Sequence, residues 1–176
     1  VSFEVPGKRG KLRGSLTGVT GAFELDLADP SQAKGRLVVD LKSVDLERSS
    51  VVPGLELDEA TALRWLELGQ DVPRERQERL GQARLTVTGL RQLSRSDLLP
   101  PESTPKARDN ARLLDAVAEA ELELHAVRIQ LLLPLRLRAE YASTDPSSPL
   151  TALHVDTRSP ATVDLPTLGI VPRNAA

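Results

Sequence analysis

The two histidines are the side chains of this chain best suited to acid–base or metal chemistry. His154 and Asp156 stand two positions apart in a strand-like segment, so they share one strand face and could form a proton relay or a metal pair. His125 stands at a predicted hairpin turn, and the chain contains no Cys. Because two histidines without a third ligand do not make a zinc site, we interpret His154 and Asp156 as a solvated pair.

Nucleophilic and nucleotide chemistry lack their usual sequence contexts. Ser49 and Ser50 have no flanking glycine pattern of the nucleophile-elbow type, and no phosphate-binding or dinucleotide-binding loop occurs. No positioned nucleophile or acid–base pair is visible. We therefore expect a protein that is not an enzyme, with no cofactor and no metal.

A basic, glycine-rich segment spans residues 7–14 and contains Lys8, Arg9 and Lys11. Such a segment could contact a lipid phosphate or an anionic membrane surface, although an exposed charged turn is the interpretation the pattern favours. The whole chain has a formal net charge of -2 and a pI of about 5.8. Without a global basic field, we expect no nucleic-acid partner.

Strict alternation over residues 128–141 predicts the main structural element. Apolar side chains occupy every second position from Ile129 to Tyr141, and Arg, Gln and Glu occupy most of the positions between them. Successive strand side chains point to opposite faces, so this pattern predicts a long strand with one buried face. Residues 115–124 favour a helix by composition but also alternate, and we favour a strand paired with 128–141 across a turn at 125–127.

Further elements surround this hairpin. Residues 23–27 and 35–44 predict two strands joined by a turn at Asp29-Pro30, and 84–88 predict another strand. Helices are predicted from Asp58 to a stop at Gly69 and over 73–80, within an insertion spanning 58–80. A final strand at 153–155 is predicted to pair with 161–165.

The polar segment 94–110 contains three prolines and is too long for an ordinary hairpin connection. We interpret it as a mobile excursion or as a contact surface for another protein. The sequence leaves open whether the chain also forms a homodimer.

The order of these motifs resembles the YceI-like family of bacterial envelope proteins. The resemblance is carried by residues 1–5, 12–15, 25–31, 38–45, 120–127 and 131–135. It implies an all-β, extended antiparallel lipocalin-like barrel of about eight strands, with a short helical insertion, over a single domain spanning 1–176. It also implies a periplasmic or extracellular protein with a signal peptide. The absence of an initiator Met fits removal of that signal.

The family resemblance further implies non-catalytic binding of a long isoprenoid-type lipid inside the barrel. The interior residues that we predict to contact it are Phe23, Leu37, Val39, Trp65, Leu85, Val87, Leu131, Leu133 and Leu135. Head-group contacts are expected from Lys8, Arg9 or Lys11. Transfer of each isoprene unit from water would yield roughly 3 kcal/mol. Alternatively, the same side chains fill the barrel and the chain is an interaction or assembly module of the envelope.

Overall fold

The computed structural model describes residues 1–7, 10–47, 59–100 and 110–170, with side chains described outside 6–12. The described chain is mostly antiparallel β-sheet with two short helices, so the predicted all-β, antiparallel class is confirmed. None of the helices in these ranges is both long enough and apolar enough to cross a bilayer.

The described residues form nine strands, two α-helices and three 3-10 turns. The strands are β1 (Ser2–Gly7), β2 (Gly10–Leu16), β3 (Val19–Glu24), β4 (Lys34–Asp40), β5 (Val44–Leu46), β6 (Gln82–Arg91), β7 (Ala111–Leu124), β8 (Val127–Tyr141) and β9 (Leu150–Thr157). The helices are α1 (Glu59–Trp65) and α2 (Arg74–Leu80), and 3-10 turns occupy Pro30–Gln32, Leu41–Ser43 and Pro166–Leu168.

Two antiparallel sheets hold the described strands. The smaller sheet has the order β1-β2-β5, and the larger has the order β3-β4-β6-β7-β8-β9. The larger sheet is curled into a half-barrel. The concave face of this sheet, which extends across all six strands, is called the inner face below.

The β7–β8 hairpin confirms the strand interpretation of residues 115–124. Its register runs without a break from Ala111 opposite Glu140 to Leu124 opposite Val127. His125 and Ala126 form the turn, and both have positive φ, at 55° and 62°. Two positive-φ residues match the twist of paired strands in a two-residue hairpin. Pairing with β6 and β8 overrides the helix propensity of the Ala and Glu residues.

The other local predictions are largely confirmed. β3 and β4 form the expected hairpin, and Asp29 accepts a hydrogen bond from the Ser31 amide (3.2 Å) in the turn. The predicted strand bounds are wrong in part, because residues 25–27 are not strand and residues 41–43 form a 3-10 turn. α2 ends at Leu80 with Gly81 as its C-cap. α1 ends at Trp65, four residues before the predicted stop at Gly69, and the predicted cap Asp58 lies outside the described residues.

The prediction of a strand over 161–165 is wrong. β9 pairs with β8, and residues 160–164 have no regular secondary structure. Pro160 and Pro166 flank the segment and have no amide hydrogen to donate to a ladder. The chain instead enters a 3-10 turn, which places Leu168 and Ile170 in the protein interior.

Residues 94–100 are a loop, as predicted, but this part of the loop is anchored to the core. Leu98 is fully buried, and its amide donates to the Leu27 carbonyl (2.7 Å). The hydroxyl of Tyr141 donates to the Leu98 carbonyl. The expectation of a mobile excursion is therefore wrong for 94–100, because one apolar residue in the polar stretch packs into the core. Residues 101–109 lie outside the described chain.

Candidate ligand-binding face

The two faces of the larger sheet differ sharply in chemistry. On β8, Leu133, Leu135 and Leu137 are buried, whereas Arg136 and Arg138, at alternate positions of the same strand, are exposed. The registers of β6, β7 and β8 place apolar side chains opposite one another on the inner face. The alternation seen in the sequence therefore separates an apolar inner face from a charged outer face.

One end of the inner face is filled by a large apolar cluster, here called cluster 1. On β7, the cluster contains the small residues Ala116, Ala118 and Ala120. Residues outside the regular strands, such as Leu27 and Leu98, belong to the same cluster. Six predicted interior residues belong to it: Val87, Leu133 and Leu135 as buried members, and Phe23, Leu85 and Leu131 as partly buried ones. Leu133 and Leu135 are only 7% and 6% exposed. They are packed against protein atoms in this structure.

The other end of the inner face is covered by the helical insertion and is here called cluster 2. Its buried members are Val39, Leu41, Leu68, Leu80 and Ala83, and Leu16, Leu63, Leu66, Leu122 and Leu124 pack against them. Leucines of α1, α2 and their connection thus lie over the sheet. Val39 is the one predicted interior residue that belongs to this cluster.

A row of apolar residues crosses five strands where the two clusters meet, and its Leu85 packs against cluster 1 and its Leu122 against cluster 2. The registers place Gly21, Leu37, Leu85, Leu122 and Ile129 directly opposite one another from β3 to β8. This row, here called the apolar rung, spans about 19 Å at about 4.8 Å per strand. Leu37 is 38% exposed, and Leu85, Leu122 and Ile129 are partly buried. The rung is thus less covered than the clusters on either side.

Gly21 forms the β3 end of the rung, where the absence of a side chain makes room for Leu37 of β4. A β-carbon at Gly21 would lie 2.7 Å from Leu37 Cδ2, so the leucine side chain leans over the glycine. Val19, two residues earlier on the same strand face, is 37% exposed. The β3 end of the rung is therefore an open apolar surface.

Sequence reasoning found part of this surface. It identified Leu37 and Leu85 but missed Leu122 and Ile129, although both belong to the alternating patterns that predicted β7 and β8. Trp65 is partly buried at the end of α1 and belongs to neither cluster. Lys8, Arg9 and the side chain of Lys11 lie outside the described residues, so their predicted head-group contacts stay predictions.

Ion pairs organise the outer face. Arg136 binds Asp115 through two hydrogen bonds (2.8 and 3.0 Å), and Arg158 lies 3.2 Å from the same carboxylate. The hydrogen bond from Arg136 is the main cause that lowers the pKa of Asp115 below its ordinary value. Arg84 and Arg128 similarly flank Glu123. The charged side chains of these ion pairs favour contact with solvent over contact with an apolar ligand.

The outer face also carries an open depression of about 350 Å³. It lies over β3, β4 and β6 and is lined by Ala22, Glu24, Lys34, Gly35, Arg36, Thr86, Val87 and Thr88. Most of its side chains are charged or hydroxylated and belong to the face opposite the rung, whereas Gly35 and Val87 belong to the same face as the rung. Val87 is the one predicted interior residue among its lining residues.

The two histidines have different environments. His154 is 56% exposed, with Nε2 3.7 Å from Glu140 Oε1. The side chain of His125 is only 9% exposed, and its buried Nε2 has no hydrogen-bond partner. Glu67 Oε2, which also accepts from Arg76 Nε (2.8 Å), lies 3.9 Å from that nitrogen. No three His, Cys, Asp or Glu residues of the described chain group together as metal ligands.

Comparison with known proteins shows a structural likeness. No family model matches the chain, and no curated protein matches it. The chain is similar to a solved polyisoprenoid binding domain from Saccharophagus degradans implicated in plant cell wall breakdown. The TM-score is 0.48 and the identity 17%, over 96% of this chain and 73% of that one. Neither the ligand nor the role of this chain follows from a likeness of that extent.

Proposed function

We propose that this protein binds a long apolar lipid of the isoprenoid type, without catalysis, and that the lipid chain lies along the apolar rung. The observation that carries the proposal is the rung itself. Its apolar side chains cross the inner face of a curled sheet, and Leu37 and Val19 at one end are 38% and 37% exposed. An extended apolar chain is the ligand whose shape matches such a row.

The driving force is the removal of apolar surface from water on both partners. Burying each isoprene unit yields roughly 3 kcal/mol, which is reduced by the cost of immobilising the lipid. Clusters 1 and 2 are packed on the two sides of the rung, so we expect the core to keep its arrangement when the lipid binds. The predicted head-group contacts of Lys8, Arg9 and Lys11 and a location in the bacterial envelope complete the proposal.

Substitution of Leu37 by Glu tests the proposal. A carboxylate on the rung would have to be desolvated by a bound lipid, so we expect Leu37→Glu to lose bound lipid at least tenfold. The matched control is Leu132→Glu on the outer face of the same sheet, because Leu132 is 57% exposed. Native mass spectrometry after incubation with a polyprenyl phosphate measures the bound mass, and urea denaturation confirms that both variants are folded.

Two results would contradict the lipid proposal. One is a wild-type protein, purified without delipidation, that shows only the mass of the bare chain and takes up no polyprenyl lipid. The other is equal lipid uptake by folded Leu37→Glu and Leu132→Glu. Val19→Glu provides a second variant on the same surface if Leu37→Glu does not fold. Leu133 is unsuited to this test because it is 7% exposed and a charge there would disturb cluster 1.

The second candidate function is a protein-interaction or assembly module of the envelope with a filled core. It is favoured by the packing of both clusters, which cover most of the inner face with the chain's own side chains. On this proposal, segment 94–110 contacts the partner, with Leu99 45% exposed on its described part. The bare-chain mass described above, together with loss of partner capture in Leu99→Glu, would support this candidate over the lipid.

A further inference from the structure

Strand β9 ends the larger sheet and has an open edge. It pairs with β8 on one side, and no strand of the described chain lies on its other side. Leu150 and Val155 are 40% and 41% exposed. Residues 150–157 contain neither Pro nor Lys, two devices that commonly protect an exposed edge from pairing. The edge is therefore open to another strand.

The backbone groups that face this edge follow from the known pairing. The Arg158 amide donates to the Pro134 carbonyl of β8 (2.8 Å). Alternation in an antiparallel ladder then directs the backbone groups of His154 and Asp156 toward β8 as well. The N–H and C=O groups of Leu153, Val155 and Thr157 consequently point outward. A partner strand would bind these residues.

Charge complementarity selects both the partner and the register. If a second copy pairs antiparallel with the two-fold axis at Val155, His154 of each copy lies opposite Asp156 of the other. An axis at residue 154 or 156 places two identical polar side chains opposite each other, and an axis at 153 places His154 opposite Ala152. An axis at 157 places Asp156 opposite Arg158, but Arg158 lies beyond the end of β9 and 3.2 Å from Asp115. Asp156 forms no ion pair within the described chain, although neighbouring Arg158 does.

We propose that two copies of this chain associate through their β9 edges, antiparallel and centred on Val155, so that the two larger sheets join into one continuous sheet. Such an interface is isologous, with each His154 beside the partner's Asp156 on the outer face and the two Val155 side chains adjacent on the inner face. The apolar surface of Val155 and the outward backbone groups then leave water together. The proposal is independent of lipid binding, because the rung ends at β8.

Disulfide crosslinking tests the register directly, because the chain contains no Cys. In this register the two Val155 α-carbons are about 5.5 Å apart, within disulfide range. We expect Val155→Cys to form a covalent dimer under mild oxidation on a non-reducing gel. Leu150→Cys, at equal exposure, and Leu153→Cys should stay monomeric, but a mixture of Leu153→Cys and Thr157→Cys should crosslink. Equal crosslinking of Leu150→Cys and Val155→Cys, or crosslinking of His154→Cys alone, would overturn the proposal.

Charge substitutions test the same interface without a crosslink. Analytical ultracentrifugation of the wild-type chain should show a reversible dimer. Asp156→Lys places a cation opposite His154 and should weaken the dimer at least tenfold, and the exchanged double variant His154→Asp/Asp156→His should restore it. A wild-type chain that stays monomeric at high micromolar concentration contradicts the proposal. So does a dimer that Asp156→Lys leaves unchanged, which would place the interface elsewhere.

Discussion

At the scale of the residue, Tyr141 joins two parts of the chain that the sequence does not connect. It is the only tyrosine and is 2% exposed at the end of β8. Its hydroxyl donates to the carbonyl of Leu98, which is itself fully buried in cluster 1. Burial also raises the pKa of Tyr141 above its ordinary value. One side chain thus anchors the loop at 94–100 to the sheet.

Removal of the hydroxyl should destabilise the protein. Tyr141→Phe leaves the Leu98 carbonyl without its donor in the core, and we expect the free energy of unfolding to fall by about 1–3 kcal/mol. Urea denaturation at pH 7 measures this change. An unchanged unfolding midpoint would show that another group or water takes the place of the hydroxyl.

The raised pKa of Tyr141 also predicts a pH dependence. The unfolded tyrosine titrates near pH 10, and the folded one titrates higher, so the folded chain holds this proton more tightly. The contribution to stability is complete below about pH 10 and is lost as pH rises through the folded pKa. The free energy of unfolding, measured by urea denaturation at several pH values between 8 and 11, should therefore fall more steeply with pH for the wild-type chain than for Tyr141→Phe. Parallel curves would contradict this assignment.

At the scale of the element, the β7–β8 hairpin combines strong pairing with a strained turn. Its strands pair over their full length, yet the turn positions hold His and Ala at positive φ rather than glycine. An L-residue in the left-handed region costs roughly 1–2 kcal/mol. The His125 side chain is 9% exposed, with Nε2 3.9 Å from Glu67 Oε2 in the connection between α1 and α2. Ala126 is exposed and its methyl group makes no core contact that would favour alanine over glycine there.

Ala126→Gly should therefore stabilise the hairpin. Glycine adopts the required φ of 62° without a β-carbon clash, and we expect a gain of about 0.5–1 kcal/mol after the larger entropy of the unfolded glycine is subtracted. Thermal unfolding measures the gain. The control is Ala120→Gly in the middle of β7, which should destabilise because the strand there is regular and Ala120 is buried. A loss of stability in Ala126→Gly would contradict the strain argument.

At the scale of the whole molecule, the protein is a charged outer shell around two apolar clusters and the rung between them. Asp115 links β7, β8 and the chain beyond β9 through Arg136 and Arg158. The carboxylate is solvated, so its pairs stabilise modestly under neutral conditions. Because its pKa is lowered in the folded chain, protonation of this carboxylate at acidic pH should destabilise the sheet.

Acidification should weaken the fold through this carboxylate. The unfolded Asp115 titrates near its ordinary value of 3.8, whereas the folded one titrates lower, so its contribution is present above about pH 4 and is lost as pH falls through the folded pKa. Asp115→Asn should therefore show a shallower loss of stability between pH 4 and 2 than the wild-type chain. Arg158→Gln, which keeps both hydrogen bonds from Arg136, is the control. If the free energy of unfolding depends on pH identically in the wild-type chain, Asp115→Asn and Arg158→Gln, then Asp115 does not contribute to the acid sensitivity of the fold.

The sequence by itself determined the local structure. The alternation of β7 and β8, the turn at Asp29 and the end of α2 at Gly81 were all predictable, because side-chain periodicity and turn chemistry act over a few residues. Tertiary structure alone decided which inner-face residues are covered. Leu37 and Leu133 look alike in sequence, yet one is 38% exposed and the other 7%. Leu98 was misjudged for the same reason, since burial depends on partners distant in sequence. The error at 161–165 was different, because the flanking Pro160 and Pro166 are visible in the sequence.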